Sequence, residues 1–149
     1  MTVIAWDGTT LAADRQAAAF GAKYQVTKIF RRGDILIGLA GGHAHSTAML
    51  EWLCGDRSPA TFPPAPAEQG DEGYLLVIHR DGRVERFEHS PHPCRIEEKQ
   101  FGDGGGRDFA LAAMYCGKTA AEAVEIASRL SNCCGLGIDT LTFDSPESP

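Results

Sequence analysis

Thr2-Val3-Ile4-Ala5-Trp6-Asp7-Gly8-Thr9-Thr10-Leu11-Ala12-Ala13-Asp14, directly after Met1, is the stretch from which the fold is read. Two apolar arms, residues 3–6 and 9–13, flank Asp7-Gly8, a strong signal for a two-residue hairpin turn. The first arm begins at a threonine that carries a hydroxyl and, once Met1 is removed, a free α-amine. That is a nucleophile with its own base, one recognised way of activating an alcohol side chain. Threonine is small enough for the ordinary methionine-removing peptidase, so loss of Met1 alone would expose it. Any chain with threonine in second place meets the same description. The other parts must come from the rest of the sequence.

Outward from this hairpin, residues 24–30 and 34–40 predict a second one around Arg32-Gly33. Its later arm, Ile35-Leu36-Ile37-Gly38-Leu39-Ala40, is continuously apolar, as a strand covered on both faces is. Gly41-Gly42 breaks the strand, and residues 43–53 read as a helix with Ala44, Ala48, Met49 and Trp52 along one side. Residues 58–70 are rich in Pro and Ala, lack periodicity and read as a loop. Residues 74–78 and 83–87 predict a third hairpin around Asp81-Gly82, and 95–101 a short edge strand. The glycine-rich run 102–106 feeds a short helix over 108–115. Thr119-Ala120-Ala121-Glu122 then has capping-box spacing and opens a helix to Leu130. A last strand over 135–143 precedes a polar tail, 144–149, which is expected to be flexible. Strands and helices grouped in runs point to α+β, with helices packed on sheet in a single domain over 1–149.

The 149 residues suffice to bury a core without disulfides or metals. A net charge of −6 argues against a nucleic-acid or anionic-membrane surface. Cys54, Cys94, Cys116, Cys133 and Cys134 make no even framework, which suits reduced thiols in the cytoplasm. Nowhere do ~18 apolar residues run together. The run 102–106 fails as a phosphate loop, because Arg107 stands where the last glycine of G-x-G-x-x-G is needed and no Gly-Lys-Ser/Thr follows. His89, His92 and Cys94 lack the spacing of a zinc site, and Cys133-Cys134 are adjacent rather than C-x-x-C, as core cysteines are. No cofactor and no metal are called for.

Taken in order, these pieces resemble the β-type subunits of the proteasome and its bacterial relative, the HslV peptidase, both N-terminal-nucleophile hydrolases. The chain looks closest to the small bacterial proteasome homologues. The resemblance runs from Thr2 to about Phe143 and rests on four stretches. They are Thr2 at the start of the first strand, Asp14 in Ala12-Ala13-Asp14-Arg15, Lys28 in Val26-Thr27-Lys28-Ile29, and Leu39-Ala40-Gly41-Gly42 entering a helix.

The resemblance implies a four-layer αββα sandwich and a threonine-type endopeptidase. Thr2 would be the nucleophile, Asp14 and Lys28 a charge pair, Gly41 a backbone donor to the oxyanion, and Leu39 the base of an apolar specificity pocket. The chemistry is consistent with those roles. A terminal amine with pKa near ~7.7–8.0 can act as base if a nearby cation keeps it partly neutral. The tetrahedral oxyanion needs preorganised donors. The resemblance further implies stacked homo-oligomeric rings and peptide or unfolded-protein substrates, and leaves an ATP-dependent unfoldase as a candidate partner.

At one place the chain departs from the pattern. The family has a serine, bonded to the terminal amine, in its glycine-rich turn before the third helix. Aligning on Phe109-Ala110-Leu111-Ala112 puts Gly105 there, with Asp103 two residues away as a partial replacement. A second reading therefore stands beside the first: a catalytically weak or inactive ring or scaffold subunit. Hydrolysis of a small-molecule amide is a third, without a recognisable substrate pocket in the sequence. Taken singly, Asp14 could simply close a turn and Lys28 could be a solvated strand residue.

Overall fold

The computed structural model describes residues 2–148. Strands β1 (Ile4–Trp6) and β2 (Leu11–Asp14) form the hairpin expected around Asp7-Gly8. The Asp7 carboxylate fixes the turn by accepting hydrogen bonds from the amides of Thr9 and Thr10. Two further strands, β10 (Phe101–Asp103) and β11 (Ile138–Leu141), flank the hairpin to complete a four-stranded antiparallel sheet in the order β10-β1-β2-β11. A second sheet has the order β5-β6-β7-β8-β9, comprising β5 (Ile29–Arg32), β6 (Ile35–Gly41), β7 (Gly73–His79), β8 (Val84–Phe87) and β9 (Cys94–Ile96).

The pleat explains why the central strands are apolar on both sides. Ile4, Trp6, Leu11 and Ala13 meet Leu36, Ala40, Leu76 and Ile78 between the two sheets. Their neighbours in sequence point the other way, because successive strand residues face opposite sides. Val3, Ala5 and Ala12 pack beneath helices α2 (Arg107–Tyr115) and α3 (Ala120–Leu130). Ile37, Leu39, Leu75 and Val77 pack beneath α1 (His43–Cys54), against Met49, Trp52 and Leu53. Helix, sheet, sheet, helix: the result is the four-layer αββα sandwich. The capping box on α3 forms as its sequence predicts, with Thr119 Oγ1 accepting from the Glu122 amide and Glu122 accepting from the Thr119 amide.

Two expectations change. The strand expected over 24–30 is split: β4 (Ala22–Gln25) pairs with β3 (Gln16–Ala19) in an exposed hairpin of its own, and only β5 joins the main sheet. Phe20 and Gly21, both at positive φ, make its turn. The strand expected over 95–101 is also split. Its first part, β9, pairs with β8 in one sheet and its second, β10, pairs with β1 in the other, so the chain crosses between layers here. The tail lies against β5 and the turn after it, where Arg31 donates its amide to Ser148 Oγ and Gly33 donates to Glu147. Those bonds satisfy backbone groups that an edge strand would otherwise present to solvent.

Candidate active site

The site forms where β1 begins, β2 ends, and two glycine turns leave the sheets. Asp14, the last residue of β2, is fully buried and accepts four hydrogen bonds. Its Oδ1 takes the Val3 amide at 2.9 Å and Lys28 Nζ at 2.8 Å. Its Oδ2 takes the amides of Gln16 and Gly135, each at 2.9 Å. The carboxylate thereby grips the peptide unit immediately after Thr2 while balancing the lysine.

Lys28 arrives from the break between β4 and β5, which is why a residue expected in mid-strand turns inward instead. It is 6% exposed, and burial pulls its pKa below the usual 10.5, against the opposing pull of Asp14. Thr2 is 5% exposed, and its carbonyl accepts the Gly106 amide at 3.1 Å. The backbone at Gly104 lies so close that a β-carbon there would stand 2.3 Å from the Thr2 oxygen, and its φ of +88° also demands glycine.

Across the site, β6 ends at Gly41 with φ +77°, and Gly42 caps α1. Thr2, Lys28, Leu39, Gly41, His43 and Ser46 all line one cavity of about 240 Å³. Four of the five residues singled out from sequence, Thr2, Lys28, Leu39 and Gly41, thus share a wall of one small cleft. Asp14, the fifth, stands behind it and holds Lys28. A larger hollow of about 560 Å³ lies beside β9, β10 and α2, around Arg86, Arg95, Phe101, Arg107, Leu111 and Tyr115. None of the five residues singled out from sequence lines it.

Asp103 is held from both sides. Its Oδ1 accepts the Gly104 amide at 2.7 Å and its Oδ2 accepts Arg86 Nε at 2.9 Å. Arg86 in turn lies over the Tyr74 ring at 4.2 Å. At Gly105 a β-carbon would sit 3.2 Å from Cys133 Cβ, so even a methyl group requires that neighbour to shift slightly.

The segment 132–135 is the part that sequence reading missed. The Gly135 amide binds Asp14, Asn132 O accepts from the Gln16 side chain, and Cys134 is buried among the residues under α2 and α3. A backbone amide leaves no side-chain signature, and the only cue was the glycine-rich spacing around Gly135 and Gly137.

No family model matches the chain, and no curated protein matches it in sequence. Solved structures do. Eukaryotic HslV from Trypanosoma brucei superposes with a TM-score of 0.68 at 20% identity, covering 94% of this chain and 97% of that one. The fold is that of HslV. BPH of Thiobacillus denitrificans gives a TM-score of 0.67 at 16% identity, over 99% of this chain and 98% of that one. The same protein in complex with epoxomicin gives the same score and identity over 99% of both chains. Coverage is nearly end to end in each case, so the HslV fold accounts for both sheets and both helical layers.

Proposed function

We propose that the protein is an N-terminal threonine peptidase subunit that works in a stacked homo-oligomeric ring. The observation that carries this reading is the buried Lys28–Asp14 pair, 2.8 Å apart, set beside Thr2 and bonded to the peptide unit that follows it. Met1 lies outside the described residues, and the reading requires its removal. The freed α-amine takes the proton of the Thr2 hydroxyl as Oγ1 attacks the substrate carbonyl carbon. Lys28 disfavours a second positive charge nearby and so keeps the resting amine neutral, while Asp14 compensates Lys28. The Gly41 amide meets the oxyanion as it develops. The protonated amine then gives its proton to the departing peptide nitrogen as the C–N bond breaks, leaving an ester on Thr2. Water, with the amine again as base, hydrolyses that ester and restores the threonine.

Leu39 at the cavity wall favours an apolar substrate side chain. Enclosure in a ring keeps a self-activated nucleophile away from folded proteins, and an ATP-dependent unfoldase would then deliver unfolded chains. Five free cysteines suit a reducing cytoplasm. Among the described residues no helix is long and apolar enough to cross a membrane. Glycine at position 105, where the resemblance places a serine beside the terminal amine, favours one rival, a ring subunit of weak or no turnover.

The test uses an epoxyketone peptide, whose two electrophilic carbons are captured together by a hydroxyl and a free amine on one residue. The hydroxyl adds to the ketone and the amine opens the epoxide. One adduct at Thr2 in the wild type, none in Thr2→Ala, and hydrolysis of an apolar fluorogenic peptide lost in that variant are the expected results. Met1 retained on every copy, or equal hydrolysis by both proteins, would sink the peptidase reading. An adduct without turnover would select the inactive-subunit reading.

A further inference from the structure

His45 belongs to no part of the mechanism above, yet it is buried within two residues of the wall that carries Gly41. It is 6% exposed, in the first turn of α1. The Gly41–Gly42 turn has no side chains of its own to hold it in place. Residues 71–73 clasp it instead. The Gly42 amide donates to Glu72 O at 2.8 Å, and Gly41 faces Gly73 across the β6–β7 ladder. A β-carbon on Gly41 would stand 2.2 Å from Glu72 O, and one on Gly42 1.9 Å from Asp71 O. The clasp is anchored in its turn by the Gly73 amide, which donates to His45 Nδ1 at 3.0 Å. Gly73 also lies so close to α1 that a β-carbon on it would be 2.4 Å from the Ser46 nitrogen.

An Nδ1 that accepts a backbone N–H carries no proton, so the ring's hydrogen sits on Nε2. That atom is buried without a hydrogen-bond partner among the described residues. An orphaned buried donor is a cost, and an apolar side chain of similar size would avoid it. What the imidazole supplies at this place is the acceptor at its δ position. We propose that His45 is a positioning residue for the Gly41–Gly42 turn. Its Nδ1 holds the Gly73 amide, residues 71–73 hold the turn, and the Gly41 amide is thereby kept at the wall of the Thr2 cavity. The effect on turnover rests on the peptidase reading; the clasp itself does not.

Two variants separate an acceptor in the right place from one in the wrong place. His45→Asn puts a side-chain oxygen where Nδ1 lies, whereas His45→Gln carries its polar atoms one carbon further, where Nε2 lies. Hydrogen exchange is read at the Gly73 and Gly42 amides, with α3 as the internal standard for an intact fold. His45→Gln is expected to speed exchange at both amides by about tenfold or more, a local opening that leaves α3 protected. His45→Asn keeps both slow. Against the fluorogenic peptide, His45→Gln lowers kcat by about 10²-fold, with KM changed less than about twofold, and His45→Asn recovers most of that loss. Slow exchange at Gly73 in His45→Gln overturns the proposal. So does wild-type kcat in a variant whose clasp has opened, or kcat still lost in an Asn variant whose clasp is closed. If the wild type has no turnover but exchange follows the expected pattern, the clasp stands and the peptidase reading is what fails.

Discussion

Two glycine turns face each other across Thr2, and they are built with unequal slack. The turn at Gly41–Gly42 joins β6 to α1; the turn at Gly104–Gly106 joins β10 to α2. At Gly42 the backbone is ordinary, with φ −64°, yet a β-carbon would lie 1.9 Å from the Asp71 carbonyl. Gly104 and Gly106 are as tight, at 2.3 Å from Thr2 O and 2.9 Å from Val3 Cβ. Gly105 is the least confined of them, since a β-carbon there would stand 3.2 Å from Cys133 Cβ, which could give way by a few tenths of an ångström. Close approach, more than backbone angle, dictates glycine at this site. The least confined position is also the one where the sequence departs from the pattern of the family it resembles.

The strongest way to break that contrast is to load the tight turn. Gly42→Ala forces the Asp71 carbonyl to move, and that carbonyl is part of a clasp already bonded on both sides. The expected loss is about 4 kcal/mol or more, at the exceptional end for a single substitution. Urea unfolding measures it, and a loss below about 1 kcal/mol would mean the β6–α1 turn is as slack as Gly105. Asp14→Asn comes next, because Asp14 reaches the Gly104–Gly106 side through Val3 and the opposite wall through Lys28. Each carboxylate oxygen takes two donors, so whichever way an amide is turned its NH₂ confronts a pair of N–H groups. With the Asp14 charge gone from beside Lys28, about 3 kcal/mol of destabilisation is expected, as for other buried pairs that lose one charge.

A smaller effect reports on the same pair without disrupting the fold. Burial lowers the Lys28 pKa below 10.5, and the hydrogen bond and charge of Asp14 oppose that shift. The folded protein therefore releases the Lys28 proton at a lower pH than the unfolded chain does. Between the two values unfolding takes up a proton, so the contribution of this site to stability rises with pH through that window. Below the window the charged amine is a net cost to the folded state. Following the Lys28 side chain by carbon NMR should give a midpoint below 10.5 in the wild type and a lower one still in Asp14→Asn. A higher midpoint in Asp14→Asn would show that the carboxylate does not sustain the lysine's charge.

How much of this could be read beforehand depended on what leaves a mark in side chains. Continuous apolar strands such as Ile35 to Ala40 announce two covered faces and helices packed on sheet, whereas the αββα layering was implied by resemblance alone. Asp7-Gly8 and the Thr119–Glu122 box mark a turn and a helix start through their own chemistry. The placement of Lys28 beside Asp14 was open to resemblance alone, because the break that turns Lys28 inward lies within a run that reads as one strand. The split of 95–101 between two sheets was hidden for a similar reason: local pattern specifies a strand, not its partner. The Gly135 amide on Asp14 and the Gly73 amide on His45 could not be seen at all, since every non-proline residue carries the same backbone donor.

Gly105→Ser is the smallest perturbation and the sharpest test of the slack. The backbone there is not in the left-handed region, so a side chain adds no torsional penalty. Its β-carbon needs only that Cys133 Cβ and Sγ, at 3.2 and 3.4 Å, give way by a few tenths of an ångström. Cys133 is partly exposed and lies beyond the end of α3, in a connection that can adjust. Stability should therefore change by less than about 1 kcal/mol, against several for Gly42→Ala. Adding Cys133→Ala should remove whatever small loss remains, because the truncated side chain vacates the sulfur's space. If the hydroxyl then reaches the Thr2 amine, peptide hydrolysis should rise by about tenfold or more, toward the lower range of what a positioned proton-handling group contributes. A stable double variant with an unchanged rate would show that slack at Gly105 is packing alone and that the absent serine does not limit this site.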